Sequence, residues 1–357
     1  MRKKYTLFTP GPVEMERDVL LTLLNPILYH REENFSKVLA ALLSELRKVL
    51  FTKSKIFILT ASGTGAMEAC IQNLVSRHEK SLVITYGVFG ERWREILWRY
   101  GAYTDEIAYP YGKSPPLEEI ERRLRTNDEI KTVFTTLTDT STGMLADIKS
   151  IGKICHDNAR LLVVDAICGL GADEFYTDDW NVDVVCGASQ KALAAPPGIS
   201  FVCANEKAEE YIKKTKSPRY YFDFRTYERF LTNGQTPFTP AILTLYAFLA
   251  ALKKVNRVGI RQFWKLHKER AEYFRKRLKG YEFLPEAPSN ALTVLKMPEG
   301  KDATKIISEI KQRHNCLLAN GQKDLRGKII RVGHIGFLRK KDLAKVATIL
   351  NKYREKF

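Results

Sequence analysis

The chain has 357 residues, of which 45% are apolar and 28% are charged, and it carries a formal net charge of +17. This length predicts about two domains with a large core, and the composition is that of an ordinary globular protein. No apolar run approaches the ~20 residues that a membrane span needs, and the N-terminus lacks the apolar stretch of a signal peptide. The sequence therefore argues against a membrane-spanning or secreted protein.

The positive charge is spread along amphipathic segments, such as residues 263–280, and is not gathered in one block. This distribution predicts a solvated basic surface. A second interpretation, attraction of small anionic substrates, stays open. A nucleic-acid site is not expected, because such sites gather their Lys and Arg residues on one face.

The six cysteines form no CxxC pair, and most lie in apolar surroundings. This pattern favours small buried thiols over a disulfide or zinc framework. We therefore expect a reducing compartment and a cytoplasmic location.

From about residue 56 to 255, apolar runs alternate with segments of helical period. The runs rich in Val and Ile predict buried strands at 55–60, 81–85, 131–137, 160–167, 182–188 and 199–204. The segments between them predict helices over Gly65–Ser76, Glu91–Tyr100, Pro116–Arg125 and Ile148–Asn158. This alternation is typical of an α/β fold with a mostly parallel sheet covered on both faces.

The order of elements changes after the long helices predicted over Leu243–Arg277. A strand at 290–297, a helix at 302–314, strands at 316–319 and 328–333, and a helix at 340–354 predict a smaller α+β domain. We expect an N-terminal segment near the active site (1–20), a large domain (21–255) and a small C-terminal domain (256–357).

Three polar motifs follow predicted strands, where ligands of open α/β sheets bind. In "TASGTGAMEA" (60–69), Ser62, Gly63 and Thr64 place small residues and free N–H groups at a helix N-terminus, which suits a phosphate. Asp165 ends an apolar strand, where an unpaired carboxylate is costly to bury. Lys191 follows the next strand, where desolvation would favour its neutral, nucleophilic form. Taken singly, a structural role for each residue is as good an interpretation.

Together, a phosphate cradle, a buried carboxylate and a desolvated lysine are what pyridoxal phosphate requires. With these motifs in place, the chain resembles the class V aminotransferases of fold-type I, especially the alanine–glyoxylate and serine–pyruvate group. The resemblance runs from "FTPGPVEM" (8–15) to "IRVGHIGF" (330–337). Between them lie "ASGTGAMEA", "YGVFGERW", "TDTSTGML", "VVDAICGLGA", "GASQKALAAPPGISFV" and "TPFTPAI". It implies a large domain with a seven-stranded type of sheet.

The resemblance implies a role for each matched residue. Lys191 would form the Schiff base with pyridoxal phosphate, and Asp165 would pair with the ring nitrogen. The phosphate would be held by residues of the cradle and one neighbour of the lysine: Ser62, Gly63, Thr64 and Gln190. Phe89 would stack on the ring, and Thr140 would approach the ring hydroxyl.

The same resemblance implies a homodimer with shared sites. Thr236 and Thr239 would reach the phosphate of the neighbouring subunit's cofactor. Arg331 would bind the substrate carboxylate through two parallel hydrogen bonds. Gly11 would let the backbone come close to the ligand, with Tyr5 in the same lid. The roles of two further residues near the site, His30 and Arg31, stay open.

The implied reaction is transamination from alanine or serine to glyoxylate or pyruvate, with Lys191 as general base and acid. A 2-aminoethylphosphonate–pyruvate aminotransferase is the main alternative, because it shares "TPGP", the turn containing Thr142-Gly143 and the Arg-x-Gly-x-Ile-Gly pattern. A cysteine desulfurase is less favoured, since Cys316 lacks a mobile Gly/Ser-rich loop. A structural role without catalysis is not expected. The sequence does not distinguish alanine from serine as the donor.

Overall fold

The computed structural model describes residues 5–354. Within this range the strands are β1 (Thr6–Leu7), β2 (Lys55–Leu59), β3 (Lys80–Thr85), β4 (Tyr103–Ala108), β5 (Ile130–Thr136), β6 (Thr138–Asp139), β7 (Met144–Leu145), β8 (Leu161–Asp165), β9 (Val184–Ala188), β10 (Ser200–Ala204), β11 (Leu292–Lys296), β12 (Cys316–Leu317), β13 (Ala319–Asn320) and β14 (Ile329–Gly333).

The α-helices of the same range are α1 (Arg17–Leu21), α2 (Glu33–Leu50), α3 (Gly63–Leu74), α4 (Val88–Arg99), α5 (Leu117–Thr126), α6 (Ile148–Asp157), α7 (Glu206–Lys214), α8 (Phe224–Leu231), α9 (Ile242–Val258), α10 (Ile260–Arg275), α11 (Ala303–His314) and α12 (Lys340–Arg354). Two 3₁₀ turns lie at Thr22–Leu24 and Lys323–Leu325. Each helix predicted from the apolar period is present, and its first residue lies within three of the predicted one. None of these helices is both long enough and apolar enough to cross a membrane.

The central sheet has seven strands in the order β2-β10-β9-β8-β5-β3-β4. All neighbouring pairs are parallel except the two that β10 makes with β2 and β9. Since β10 runs against both neighbours, β2 points the same way as β9. The predicted α/β fold with a mostly parallel, seven-stranded sheet is confirmed.

Both faces of this sheet are buried, as the near-continuous apolar strands predict. On β8, Leu162 and Val164 belong to a core shared with α2 and α9, whereas Leu161 and Val163 belong to a second core shared with α3 and α4. The sheet is thus a rigid platform between two helical layers, and its strand ends hold the loops that follow them.

A smaller antiparallel sheet, β11-β14-β13, packs with α11 and α12 around a third core. The N-terminal strand β1 pairs with β12, so the start of the chain lies against this C-terminal part. Helix α9 runs across residue 255, where we placed the end of the large domain. The domain boundaries therefore stay a prediction.

Candidate active site

Most of the site residues predicted from the sequence follow the carboxyl ends of strands of the central sheet that run in one direction. Because these strands run in one direction, their carboxyl ends meet at the same edge of the sheet, where ligands of open α/β sheets bind. The residues and the strands before them are Ser62 after β2, Phe89 after β3, Thr140 after β5 and β6, Asp165 at the end of β8 and Lys191 after β9.

Helix α3 begins in the predicted phosphate cradle. Ser62 is its N-cap, and its hydroxyl accepts a hydrogen bond from Gly65 N at 3.4 Å. The N–H groups of Gly63 and Thr64 lie in the first turn, where a helix provides no internal acceptor. A Cβ on Gly63 would lie 2.6 Å from Ile167 Cδ1, so a larger residue would require the Ile167 side chain in the loop after β8 to move. This helix end can accept an anion.

Asp165 is buried at the end of β8, and its Oδ1 accepts a hydrogen bond from Ile167 N at 2.8 Å. Burial and the negative charge of Asp139 raise the pKa of this carboxyl to about 7, although the hydrogen bond from Ile167 N lowers it. At neutral pH the carboxylate form thus needs a cation beside it. A protonated pyridine nitrogen is a cation that would meet this need.

Lys191 Nζ donates to Pro10 O at 2.8 Å, so the N-terminal segment reaches the lysine. Burial lowers the pKa of this amine and is the largest effect; the charges of Arg331 and Arg92 lower it too, whereas Cys168 and Asp165 raise it. A larger fraction of the amine is therefore neutral at a given pH than for an exposed lysine. Neutral amine is the form that attacks a carbonyl.

Gly11 packs directly on Lys191. Its φ of +124° lies in the region that favours glycine, and a Cβ there would be 2.4 Å from Lys191 Cδ. The sequence predicted a close approach of this backbone to the ligand. In the structure the close approach is to the lysine side chain.

Asp139 joins the residues that follow β3 and β5. Its carboxylate accepts hydrogen bonds from Phe89 N at 2.9 Å and from Ser141 N at 2.9 Å. A Cβ on Gly87 would lie 2.2 Å from the same carboxyl carbon, so glycine is required before α4. The contact fixes the backbone of Phe89, in the first turn of α4, relative to the residues that follow β6.

Arg331 lies on β14 and is 7% exposed. It donates from Nε to Asn320 O at 2.8 Å and from Nη1 to Thr140 O at 2.9 Å. These bonds hold the guanidinium between the small sheet and the loop after β5. No acceptor for Nη2 is found among residues 5–354, so this group can serve a ligand.

Gln190 carries a buried side-chain oxygen, Oε1, that has no partner in the described part of the chain. A buried amide without a partner is costly, and its oxygen and nitrogen can exchange places to suit a bound group. With the α3 N-terminus, the Asp165 carboxylate and the Lys191 amine, this unpaired amide fits pyridoxal phosphate. No group of three or more His, Cys, Asp or Glu side chains suited to a metal ion occurs within residues 5–354.

The loop that carries Thr236 and Thr239 is held by Arg31. Arg31 donates to Gln235 Oε1 at 3.2 Å, Thr236 O at 2.6 Å and Pro237 O at 2.9 Å. The Thr236 hydroxyl donates to Phe238 O at 2.8 Å, whereas Thr239 is exposed. Whether this loop reaches a second subunit stays a prediction.

His30 contacts the rings of Tyr29 and Phe35 edge-on. Burial lowers the pKa of His30, and the charge of Arg31 lowers it further. At neutral pH this imidazole is therefore predominantly uncharged. His30 is therefore not a cation at neutral pH, and the guanidinium donors of Arg31 are bonded to the loop of Thr236.

Two residues near the site, Asp139 and Arg92, were not predicted from the sequence. Asp139 stands beside Thr140 in the quoted "TDTSTG", and Arg92 is one helical turn after Phe89 in "YGVFGERW". Spacing of three residues places Phe89 and Arg92 on one face of α4, which was the available signal for Arg92.

A family model described as aminotransferase class-V matches residues 24–320 of the chain. An uncharacterised aminotransferase of Methanocaldococcus jannaschii is 35% identical, over 95% of this chain and 90% of that protein. The soluble hydrogenase small subunit of a Synechococcus species is 34% identical, over 98% of this chain and 93% of that protein. The serine–glyoxylate aminotransferase of Methylorubrum extorquens is 30% identical, over 93% of this chain and 86% of that protein. The structure of a Nostoc alanine–glyoxylate aminotransferase superimposes with a TM-score of 0.94 at 28% identity. The match covers 99% of this chain and 96% of that protein.

Proposed function

The chain belongs to the class V aminotransferases, a pyridoxal-phosphate-dependent family, and on this basis we propose that it transfers the amino group of alanine or serine to glyoxylate or pyruvate. The observation that carries the substrate class is Arg331. Two backbone carbonyls hold its guanidinium, and Nη2 has no partner among the described residues. A guanidinium so placed suits the carboxylate that amino acids and 2-oxo acids share.

When bound, pyridoxal phosphate supplies an aldehyde joined to a ring that accepts electrons. In the proposed mechanism the N–H groups of Gly63 and Thr64 hold the phosphate. The Asp165 carboxylate keeps a proton on the ring nitrogen. Lys191 Nζ is the amine that would react with this aldehyde, as expected from the sequence.

Lys191 Nζ would also carry a proton during the reaction. As general base it would take the proton from the substrate α-carbon, and as general acid it would deliver a proton to the carbon of the cofactor's aldehyde group. Its lowered pKa favours the neutral form that accepts a proton. Arg331 orients the substrate carboxylate meanwhile, so that the α-carbon faces the amine.

The first experiment is a screen of amino donors. We expect alanine or serine with glyoxylate to be converted faster than 2-aminoethylphosphonate with pyruvate. A phosphonate dianion would need a second cation, yet Arg31 is held by three carbonyl oxygens and His30 is predominantly neutral. Faster conversion of 2-aminoethylphosphonate, lost in Arg31→Ala, would favour the phosphonate alternative.

Arg331→Lys tests the carboxylate contact. Lysine keeps the charge but loses the planar fork, so kcat/KM for alanine or serine should fall well over tenfold, given ~1.5–3 kcal/mol for each charged hydrogen bond. The dissociation constant of the cofactor should hardly change, and this measurement is the control. A kcat/KM within threefold of the wild type would refute the assignment.

We also propose a homodimer in which each site includes a loop of the partner. The segment before Arg31 supports this, because its exposed apolar side chains include Leu24 at 80% and Ile27 at 71% exposure. Apolar surface of this kind marks an interface in a stable protein. The segment adjoins the loop of Thr236 and Thr239 through the contacts of Arg31.

Mixing two inactive variants tests the shared site. One is Lys191→Ala, and the other is the double variant Thr236→Val, Thr239→Val. In a mixed dimer one site combines the intact lysine of one subunit with the intact loop of the other, so part of the activity should return. Each variant remixed with itself is the control. Confirmed mixed dimers without recovered activity would mean that each site is built from one chain.

A cytoplasmic location is the last part of the proposal. Its support is that all six cysteines are free and buried, as expected for thiols in a reducing compartment.

A further inference from the structure

Arg92 lies beside the phosphate cradle in the structure, although it lies outside the motif (60–69) that defines the cradle in the sequence. Its Nη1 donates to Thr64 Oγ1 at 2.9 Å, which links α4 to the first turn of α3. Its guanidinium carbon lies 4.5 Å from the centre of the Phe89 ring. One side chain thus contacts both the residue proposed to hold the phosphate and the residue proposed to stack on the ring.

No carboxylate of the described residues forms an ion pair with Arg92. The charged side chains around it on α4 are paired: Arg94 with Glu106, and Glu91 and Glu95 with Lys323. A guanidinium that is left without a carboxylate beside a helix N-terminus adds positive charge where the backbone N–H groups already favour an anion.

The contact with Thr64 also fixes the direction of a hydroxyl hydrogen. A hydroxyl that accepts a hydrogen bond at one lone pair still has its own O–H to donate. Because Arg92 occupies the acceptor side of Thr64 Oγ1, the O–H must donate to something else. The phosphate at the α3 N-terminus would be that acceptor.

The contact with Phe89 restricts ring stacking. A cation over an aromatic ring interacts with the negative charge of the ring face. With one face covered by Arg92, only the opposite face of Phe89 is left for a planar ligand. Asp139 accepts a hydrogen bond from Phe89 N, which fixes the backbone from which the ring projects.

We propose that Arg92 is a positioning residue for pyridoxal phosphate. It directs the Thr64 hydroxyl toward the phosphate and holds Phe89 for stacking on the ring. The inference rests on the proposed site, in which Thr64 and Phe89 contact the cofactor.

The test measures cofactor binding to apoprotein, with pyridoxal phosphate and with pyridoxal, which lacks the phosphate. In Arg92→Met we expect the dissociation constant for pyridoxal phosphate to rise roughly tenfold or more, from the lost charged hydrogen bond and cation–ring contact. The preference for pyridoxal phosphate over pyridoxal should fall with it. A merely structural role would weaken both ligands alike and leave the preference unchanged.

Further variants separate the explanations. Arg99→Met is the matched control, because Arg99 is an exposed arginine of the same helix whose guanidinium lies 5.3 Å from the ring centre of Trp98. Its cofactor affinity should equal that of the wild type. Thr64→Val combined with Arg92→Met should lose less affinity than the sum of the single variants, since both remove the same contact. Arg92→Lys serves if Arg92→Met does not fold, and should lose part of the preference.

An unchanged phosphate preference in Arg92→Met or Arg92→Lys, with additive effects of Thr64→Val, would overturn the inference. The proposed function would survive that result if wild-type protein still bound the cofactor at Lys191. Absence of cofactor binding to Lys191 in the wild type would instead refute the site itself.

Discussion

Lys191→Ala is expected to abolish transamination. The change removes both the nucleophile and the group that moves the proton at the substrate α-carbon, and general-base catalysis alone contributes ~10²–10⁴-fold. We expect the rate with saturating cofactor to fall at least ~10⁴-fold. Initial rates with alanine and glyoxylate measure the effect.

The matched control is Lys131→Ala, an exposed lysine on β5 of the same sheet. Its rate should stay at the wild-type value. If folded Lys191→Ala protein retained activity within tenfold of the wild type, another group would have to carry the proton, and the role assigned to Lys191 would be wrong.

Asp165→Asn should slow the proton-transfer step by several orders of magnitude. The amide keeps the shape of the side chain but loses the negative charge that holds a proton on the ring nitrogen, and each factor of ten corresponds to 1.36 kcal/mol. The half-reaction with alanine, followed by the absorbance of the bound cofactor, measures this step. With α-deuterated alanine, the isotope effect should increase as proton transfer becomes limiting.

Asp183→Asn is the control for a buried carboxylate. Asp183 accepts a hydrogen bond from Leu162 N at 2.8 Å. It directly precedes β9, so it lies at the amino ends of the strands, whereas Asp165 lies at their carboxyl ends. Its loss should lower stability, while the half-reaction of the folded protein keeps its wild-type rate. A half-reaction of wild-type rate in Asp165→Asn would show that the charge of Asp165 is not needed.

The buried strands could be predicted because their apolar runs are long and rich in β-branched residues. β4 (Tyr103–Ala108) was not predicted: it is an edge strand that pairs only with β3, and its residues Thr104, Asp105 and Glu106 are polar. An edge strand with one partner need not be apolar on both faces. α2 was predictable but was not predicted, although Leu39, Leu42, Leu43 and Leu46 recur at helical spacing.

The candidate site could be predicted in part for a similar reason. Asp165 and Lys191 stand directly after apolar strands, so their positions follow from the sheet. The contact of Arg92 with Thr64 joins residues 28 positions apart and depends on how α3 and α4 pack. The hydroxyl bond of Thr236 to Phe238 and the clamp of Arg31 on the same loop also depend on tertiary structure, so sequence spacing could not supply them.

The most direct test of the account is to locate the bond between protein and cofactor. Purified wild-type protein should be yellow, and reduction with borohydride should fix pyridoxal phosphate to the chain. Digestion and mass spectrometry are predicted to find the label on Lys191. A label on another lysine, or protein that retains no cofactor, would contradict the account.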